Sequence, residues 1–346
     1  MVDRLPGNVK PEEFDYFHEL ITHEEVSRLM TPGFQDGCFG GKNISITPLL
    51  VFGTKRMREE IVPKSLKGLC KTVLAITEPF AGSDVAGIRT TAKKTPCGQF
   101  YIVNGVKKWI TEGYNADYYI SAVRTGGPGK GGISMLLIEK GEGVSTKLIK
   151  TSYASSAETS YVIFENVKVP VENLMAKENE GFRAVMYNFN HERWYIVVSL
   201  LARCRFVLEE CFKWASQRQI FGKSLISHGV IQEKFARMAS GLEACYYWLE
   251  MITNQMNKMT FEEYNAKIGG DIALLKFNAA QVARTISEES VQIFGGRGVS
   301  STGMGKYIER FQRTTKIPAV YGGSSEIMAS LAVRQAVRSF PKDAKL

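Results

Sequence analysis

Thr77-Glu78-Pro79-Phe80-Ala81-Gly82-Ser83-Asp84 is the stretch on which the reading of this chain turns, together with its downstream companion Trp109-Ile110-Thr111. The octapeptide follows the apolar run Val73-Leu74-Ala75-Ile76, which reads as a strand opening at its C-terminal end into a turn that contains Pro and Gly. Such a turn leaves backbone N–H groups available to an anion. The tripeptide ends a second apolar and aromatic strand, so the two strand ends are expected to converge. Their hydroxyls, small residues and indole suit an anionic aromatic ligand. On the residues alone, a hairpin-rich β domain with ordinary Gly-Ser-Asp turns fits as well.

Outward from this point the hydrophobic period divides the chain into three regions. Residues 1–72 read as helical, with helices over Glu13–Leu29 and Pro48–Pro63 joined by the glycine-rich stretch Gly33–Gly41. Residues 73–175 carry short β-rich runs, Phe100–Val103, Lys108–Thr111, Tyr118–Val123, Ser134–Ile138 and Tyr161–Val169, and predict a central antiparallel β domain. Over residues 176–346 the period becomes 3.6. It predicts one long helix over Phe182–Gln217, then helices over Ile231–Met259, Asn265–Phe294 and Ser325–Phe340, interrupted or capped at Gly222, Gly269-Gly270 and Gly295-Gly296. Four long helices in succession predict an up-and-down four-helix bundle, and the fold class is α+β.

The 346 residues suit two or three domains, and 44% apolar with 23% charged residues fits a globular chain rather than a disordered one. No apolar run approaches the ~18 residues of a membrane helix. Met1 to Tyr16 contains neither an apolar signal core nor an Arg-rich presequence, so neither a secretory nor a mitochondrial import signal is expected. Cys38, Cys70, Cys97, Cys204, Cys211 and Cys245 form no Cys-x-x-Cys pair and read as reduced packing residues; His18 and His23 fall on different helix faces, and no metal is expected. The net charge of +9 is spread along the chain, which fits a solvated basic surface that attracts anionic small molecules better than a nucleic-acid groove.

Five motifs occur in order: Thr77-Glu78-Pro79-x-Ala81-Gly82-Ser83-Asp84, Trp109-Ile110-Thr111, Arg218-Gln219-Ile220-Phe221-Gly222-Lys223, Gln292-Ile293-Phe294-Gly295-Gly296 and Tyr321-Gly322-Gly323-Ser324-Ser325-Glu326. With this order the chain resembles the acyl-CoA dehydrogenases from about Thr47 to Arg338. The resemblance implies abstraction of an α proton from an acyl-CoA thioester while hydride leaves the β carbon for the flavin of FAD. It places Thr77 and Thr111 near the flavin ring, Trp109 against its face and Ser83 at the pyrophosphate and among the substrate contacts. Arg218, Phe221, Gln292 and Gly296 look like the contacts a neighbouring subunit offers to the same FAD, implying a homo-oligomer, dimer or tetramer. Ser324 and Glu326 stand at a helix N-terminus suited to a pyrophosphate or ribose, although Ser324 or Ser325 equally suits a cap.

Many acyl-CoA dehydrogenases carry the catalytic glutamate directly after the tyrosine of the last motif, where this chain has Gly322. A subset, resembling the long-chain and isovaleryl-type enzymes, carries it on the helix that opens the C-terminal bundle, just before an arginine. His191-Glu192-Arg193 matches that pattern, so Glu192 is the expected base, with a pKa raised by burial. Arg193 resembles the arginine that reaches the acyl-CoA near its pantetheine, and Tyr321 is expected to line the acyl pocket. The carbonyl is expected to be polarised by a backbone N–H and the flavin ribitol hydroxyl rather than by a side chain.

Two departures accompany the resemblance: an N-terminal region shorter than is usual in the family, and Phe80 where glycine is frequent. Gly295-Gly296-Arg297-Gly298 follows a helix rather than a strand and is not expected to open a dinucleotide-binding βαβ unit. The tail Ala344-Lys345-Leu346 resembles a peroxisomal address, making a peroxisomal location the expectation and the mitochondrial matrix or cytoplasm the alternatives. Location bears on the electron acceptor, electron-transfer flavoprotein or oxygen. An acyl-CoA oxidase and a non-catalytic flavin- or nucleic-acid-binding relative stand as alternative functions.

Overall fold

A computed structural model describes residues 4–37 and 41–341; Cys38 and the tail Ala344-Lys345-Leu346 lie outside the described residues. The chain forms two compact units, one of residues Pro32–Glu192 and one of residues up to Thr31 together with Arg193–Leu346.

In the second of these, helix α1 (Tyr16–Arg28) is started by Asp15, whose carboxylate accepts from the His18 backbone N–H at 3.0 Å. In the first unit, α2 (Pro32–Gln35), α3 (Gly41–Phe52) and α4 (Val62–Leu66) precede the sheet. The helix expected from Pro48 instead begins at Gly41 and carries Pro48 buried inside it, then stops near Gly53; a π-helical turn, Met57–Ile61, leads into α4. A buried hydroxyl cluster ties these helices to the sheet: Thr72 Oγ1 lies 2.9 Å from Ser45 Oγ and 3.0 Å from Ser65 Oγ.

Eight strands make one sheet: β1 (Thr72–Ala75), β2 (Thr91–Lys94), β3 (Phe100–Ile110), β4 (Tyr118–Arg124), β5 (Ile133–Glu139), β6 (Val144–Leu148), β7 (Ser160–Pro170) and β8 (Leu174–Met175). The spatial order is β6-β7-β3-β2-β4-β5-β8, with β1 also on β4. The expectation of an antiparallel sheet needs correction, because β1 runs parallel to β4 from Thr72↔Tyr118 to Ala75↔Ser121, and β2 meets β4 in parallel at Thr91↔Arg124. The chain reaches β4 from β1 by a crossover through β2 and β3, and only a crossover can join parallel neighbours. The expected runs Phe100–Val103 and Lys108–Thr111 belong to one strand, β3, whose pairing with β7 shifts register between Lys107 and Ile110. Helix α5 (Gly181–Tyr187) packs on β5.

The expected single helix over Phe182–Gln217 is broken at Asn188, after which α6 (Phe189–Gln217) begins. Asn188 is buried, and its amide donates to the Asn43 carbonyl of α3 at 3.3 Å, so it serves a neighbouring helix. After α6 come the hairpin β9 (Gln219–Ile220) and β10 (Lys223–Ser224), then α7 (Gly229–Asn257), α8 (Phe261–Lys267), α9 (Gly269–Phe294), α10 (Lys306–Thr314) and α11 (Ser325–Ser339). The helix expected over Asn265–Phe294 is thus two, separated at Ile268, and α10 was not expected. Ile231, Phe235, Met238, Leu242, Cys245, Leu249, Ile252 and Met256 recur on α7 at alternating steps of four and three and are all buried, which places one face of α7 in the bundle core. Cys204 and Cys211 of α6 are buried in the same core, where desolvation pushes their thiols up and away from reactivity. Among the described residues no cluster suits a metal, and no helix is long and apolar enough to cross a membrane.

Candidate active site

β1 and β3 deliver the two opening motifs to one place. The Lys108 N–H donates to the Thr77 carbonyl at 2.8 Å, joining the end of β1 to the end of β3. Glu78 and Ala81 close a tight turn by exchanging backbone hydrogen bonds of 3.0 and 3.3 Å, which puts Phe80 at an exposed tip, with the Arg89 guanidinium 5.5 Å from its ring. Gly82, Ser83 and Asp84 follow on the surface. Trp109 has φ +64°, a left-handed conformation that a bulky residue seldom adopts, and it lies in the register shift of β3. That shift re-aims the indole, leaving it half exposed rather than packed in the sheet.

A buried ion pair braces this ledge. Lys107 Nζ is fully enclosed and donates to Glu78 Oε1 at 2.8 Å, to the Ile76 carbonyl at 3.0 Å and to the Ala122 carbonyl at 2.6 Å, which satisfies all three of its protons. Glu78 also accepts from the backbone N–H groups of Arg89 (2.6 Å) and Thr90 (3.0 Å). Burial pushes the Lys107 ammonium down to about 8, with Glu78 restoring it only in part. The Glu78 carboxyl sits below its ordinary 4.5: burial pushes it up, but the Lys107 ammonium and hydrogen bonds from Thr90 and the Arg89 N–H outweigh that. The sequence reading gave neither residue a role. Lys107 was detectable, since it falls in phase with the inward residues Tyr101 and Val103 of β3.

The hydroxyls of Thr77 and Thr111, both half-buried, have no protein hydrogen bond among the described residues. With an outward indole, and a Gly82 at which an added Cβ would meet nothing within 4 Å, this donor set fits a flavin and its pyrophosphate.

Glu192 is buried in the first turn of α6, its N–H donating to the Asn188 carbonyl at 3.0 Å. In the other unit, the adjacent Arg193 is also buried and donates from Nε to the Gly322 carbonyl at 3.1 Å. Gly322 and Gly323 have φ of +65° and +99°, and Tyr321 packs against the bundle core. Ser324 caps α11, its hydroxyl accepting from the Ile327 N–H at 3.4 Å. Glu326 is exposed; its own N–H and the Ser324 hydroxyl hold its carboxyl below the ordinary range. Ser324→Ala is expected to lower stability by about 1 kcal/mol, read as a lower melting temperature.

Arg218 and the Gly295-Gly296-Arg297 segment meet at Trp214, with the Arg218 and Arg297 guanidiniums 5.8 and 4.8 Å from its ring. Phe221 (φ +46°) and Gly222 (φ +77°) form the two-residue hairpin turn between β9 and β10, both at positive φ, and Phe221 is 93% exposed. Gln292 and Gly296 are exposed as well. The run Gly295–Val299 is a 3-10 turn after α9 and opens no βαβ unit.

The donor set of the Thr77–Asp84 turn and the end of β3 is compatible with a flavin-dependent oxidoreductase. The family profile described as "Acyl-CoA dehydrogenase, middle domain" matches residues 73–167, and that described as "Acyl-CoA dehydrogenase, C-terminal domain" matches residues 179–337. An acyl-CoA dehydrogenase of Emericella nidulans is 38% identical over 339 residues, 97% of this chain and 77% of that protein. Another, from Alternaria alternata, is 38% identical over 335 residues, 96% of this chain and 77% of that protein. The crystal structure of a putative acyl-CoA dehydrogenase from Mycobacterium smegmatis superposes with a TM-score of 0.87 at 29% identity, covering 94% of this chain and 84% of that one. The chain belongs to the acyl-CoA dehydrogenase family. It is accordingly an oxidoreductase acting on acyl-CoA, and its cofactor is FAD.

Proposed function

We propose that Glu192 is the base that takes the α proton of a bound acyl-CoA, giving the trans-2-enoyl-CoA. FAD, when bound, supplies the acceptor for the β hydride. The observation that carries this reading is that Glu192 is buried at the start of α6, in a chain whose residue after Tyr321 is a glycine, Gly322, which has no side chain to take a proton. A carboxylate withdrawn from water is a stronger base toward a bound substrate than toward solvent, which suits a proton held next to a thioester carbonyl. Thr77, Thr111, Trp109 and Ser83 hold and orient the flavin. Ser83, Arg193 and Tyr321 contact the acyl-CoA, and Ser324 and Glu326 contribute to cofactor binding.

Arg218, Phe221, Gln292 and Gly296 face outward and serve a second copy of the chain, giving a dimer or tetramer. Phe221, 93% exposed on its two-residue turn close to the exposed Arg218, is open to such a contact. The product enters fatty-acid β-oxidation or the tailoring of a secondary-metabolite acyl chain. Electrons leave to electron-transfer flavoprotein or, in a peroxisome, to oxygen.

Purified holoprotein titrated anaerobically with acyl-CoAs of graded and branched chain length is expected to lose its flavin absorbance near ~450 nm. Flavin that no member of the panel bleaches rules the reading out. Repeating the titration in air separates the acceptors: stoichiometric peroxide marks an oxidase.

A further inference from the structure

Lys276 lies in α9, 3% exposed, and its ammonium donates to the carbonyl oxygens of Pro318 and Gly323, each at 2.8 Å. Another carbonyl of the bend, that of Gly322, takes the Arg193 Nε at 3.1 Å. Two helices, α6 and α9, thus each place a buried cation on one of two consecutive glycine carbonyls.

The glycine pair explains why carbonyls are used. Gly322 and Gly323 both have positive φ, a conformation that L side chains rarely adopt, so neither of these two positions supplies a side chain to anchor the bend. Glycine is also the residue with most conformational freedom to lose, so an unanchored bend would wander. Taking an ammonium out of water is expensive, and an apolar side chain at the same place in α9 would avoid that cost. What the ammonium supplies instead is a fixed span between two carbonyls five residues apart, with Tyr321 inside the span and the Ser324 cap just beyond it.

We propose that Lys276 is a positioning residue for the acyl-CoA reaction: with Arg193 it holds the Pro318–Gly323 bend so that Tyr321 and the capped start of α11 stand in one arrangement when substrate binds. The proposal rests on the functional reading above for what the bend serves. Lys276 acts through the backbone it holds.

The test uses full-length holoprotein carrying Lys276→Met, Lys276→Gln or Lys276→Arg. It reads flavin content, backbone hydrogen exchange over residues 318–324, and the limiting rate and half-saturation of anaerobic flavin reduction. In the Met variant the exchange over the bend is expected to rise about 10-fold while the bundle core stays protected. The limiting rate falls by about 10- to 100-fold as the preorganised arrangement is lost. The Arg variant, which keeps a cation, is expected to recover most of the rate, with the Gln variant between them. If the Met variant does not fold, the Gln and Arg variants decide by the same ordering. A Gln variant with wild-type limiting rate, half-saturation and exchange overturns the proposal, and so does a rate loss that only tracks the unfolded fraction. Wild-type flavin that no acyl-CoA bleaches would sink the functional reading instead, while the exchange over the bend still decides whether Lys276 holds it.

Discussion

Replacing Glu192 with glutamine is expected to slow anaerobic flavin reduction by about 10²- to 10⁴-fold, the span that general-base groups contribute. Glutamine keeps the size of the side chain and its buried place at the start of α6 but cannot take a proton. The loss should therefore fall on the limiting rate rather than on half-saturation, since binding the ground state needs no base. Removing a negative charge from the first turn of a helix costs only about 0.3–1 kcal/mol, so the variant should fold and keep its flavin. Stopped-flow reduction with the best acyl-CoA of the panel provides the measurement. An unchanged rate removes Glu192 from the chemistry and assigns the proton to another base.

Lys107→Met is expected to destabilise the sheet-bearing unit by about 3–5 kcal/mol, because it leaves Glu78 as an uncompensated buried charge. The Ile76 and Ala122 carbonyls lose their donor as well. That is a large part of the about 5–15 kcal/mol that keeps a domain folded. Adding Glu78→Gln to Lys107→Met should recover part of the loss, so denaturant melts of the two single variants and the double variant should be clearly non-additive. Flavin should dissociate faster from the single variants, since Glu78 belongs to the turn and Lys107 precedes Lys108, whose N–H fixes Thr77. Acid gives an independent reading. Glu78's folded pKa is lowered below 4.5, so it contributes stability that is present above 4.5 and lost as pH falls through the lowered value. Glu78→Gln should flatten that acid limb.

The succession of helices, sheet and helices was legible because the hydrophobic period changes from two to 3.6 near Gly181, and a period depends only on neighbours in sequence. Strand direction does not. The parallel pairing of β1 with β4 joins residues far apart along the chain, and no local pattern marks it. The break at Asn188 escaped because apolar spacing runs on through it, while what accompanies it is a hydrogen bond to a carbonyl of α3, distant in sequence. At the site, ordered motifs named the residues proposed to meet ligands. Lys107 showed only in its inward phase on β3, and Lys276 spends its charge on backbone carbonyls, which every residue possesses and no sequence pattern distinguishes. Arg193 shows both sides: the sequence singled it out, yet its bond to Gly322 became visible only in the folded chain.

The parallel register of β1 on β4 also sets a clock. Thr72 and Tyr118 lie 46 residues apart. A chain synthesised from its N-terminus at about 5–20 residues per second has β1 waiting roughly 2–9 seconds for the strand that receives it. Non-local pairings of this kind close slowly even when the whole chain is present. Until β4 arrives, Lys107 lacks the Ala122 carbonyl, and the buried ion pair that braces the turn after β1 is incomplete.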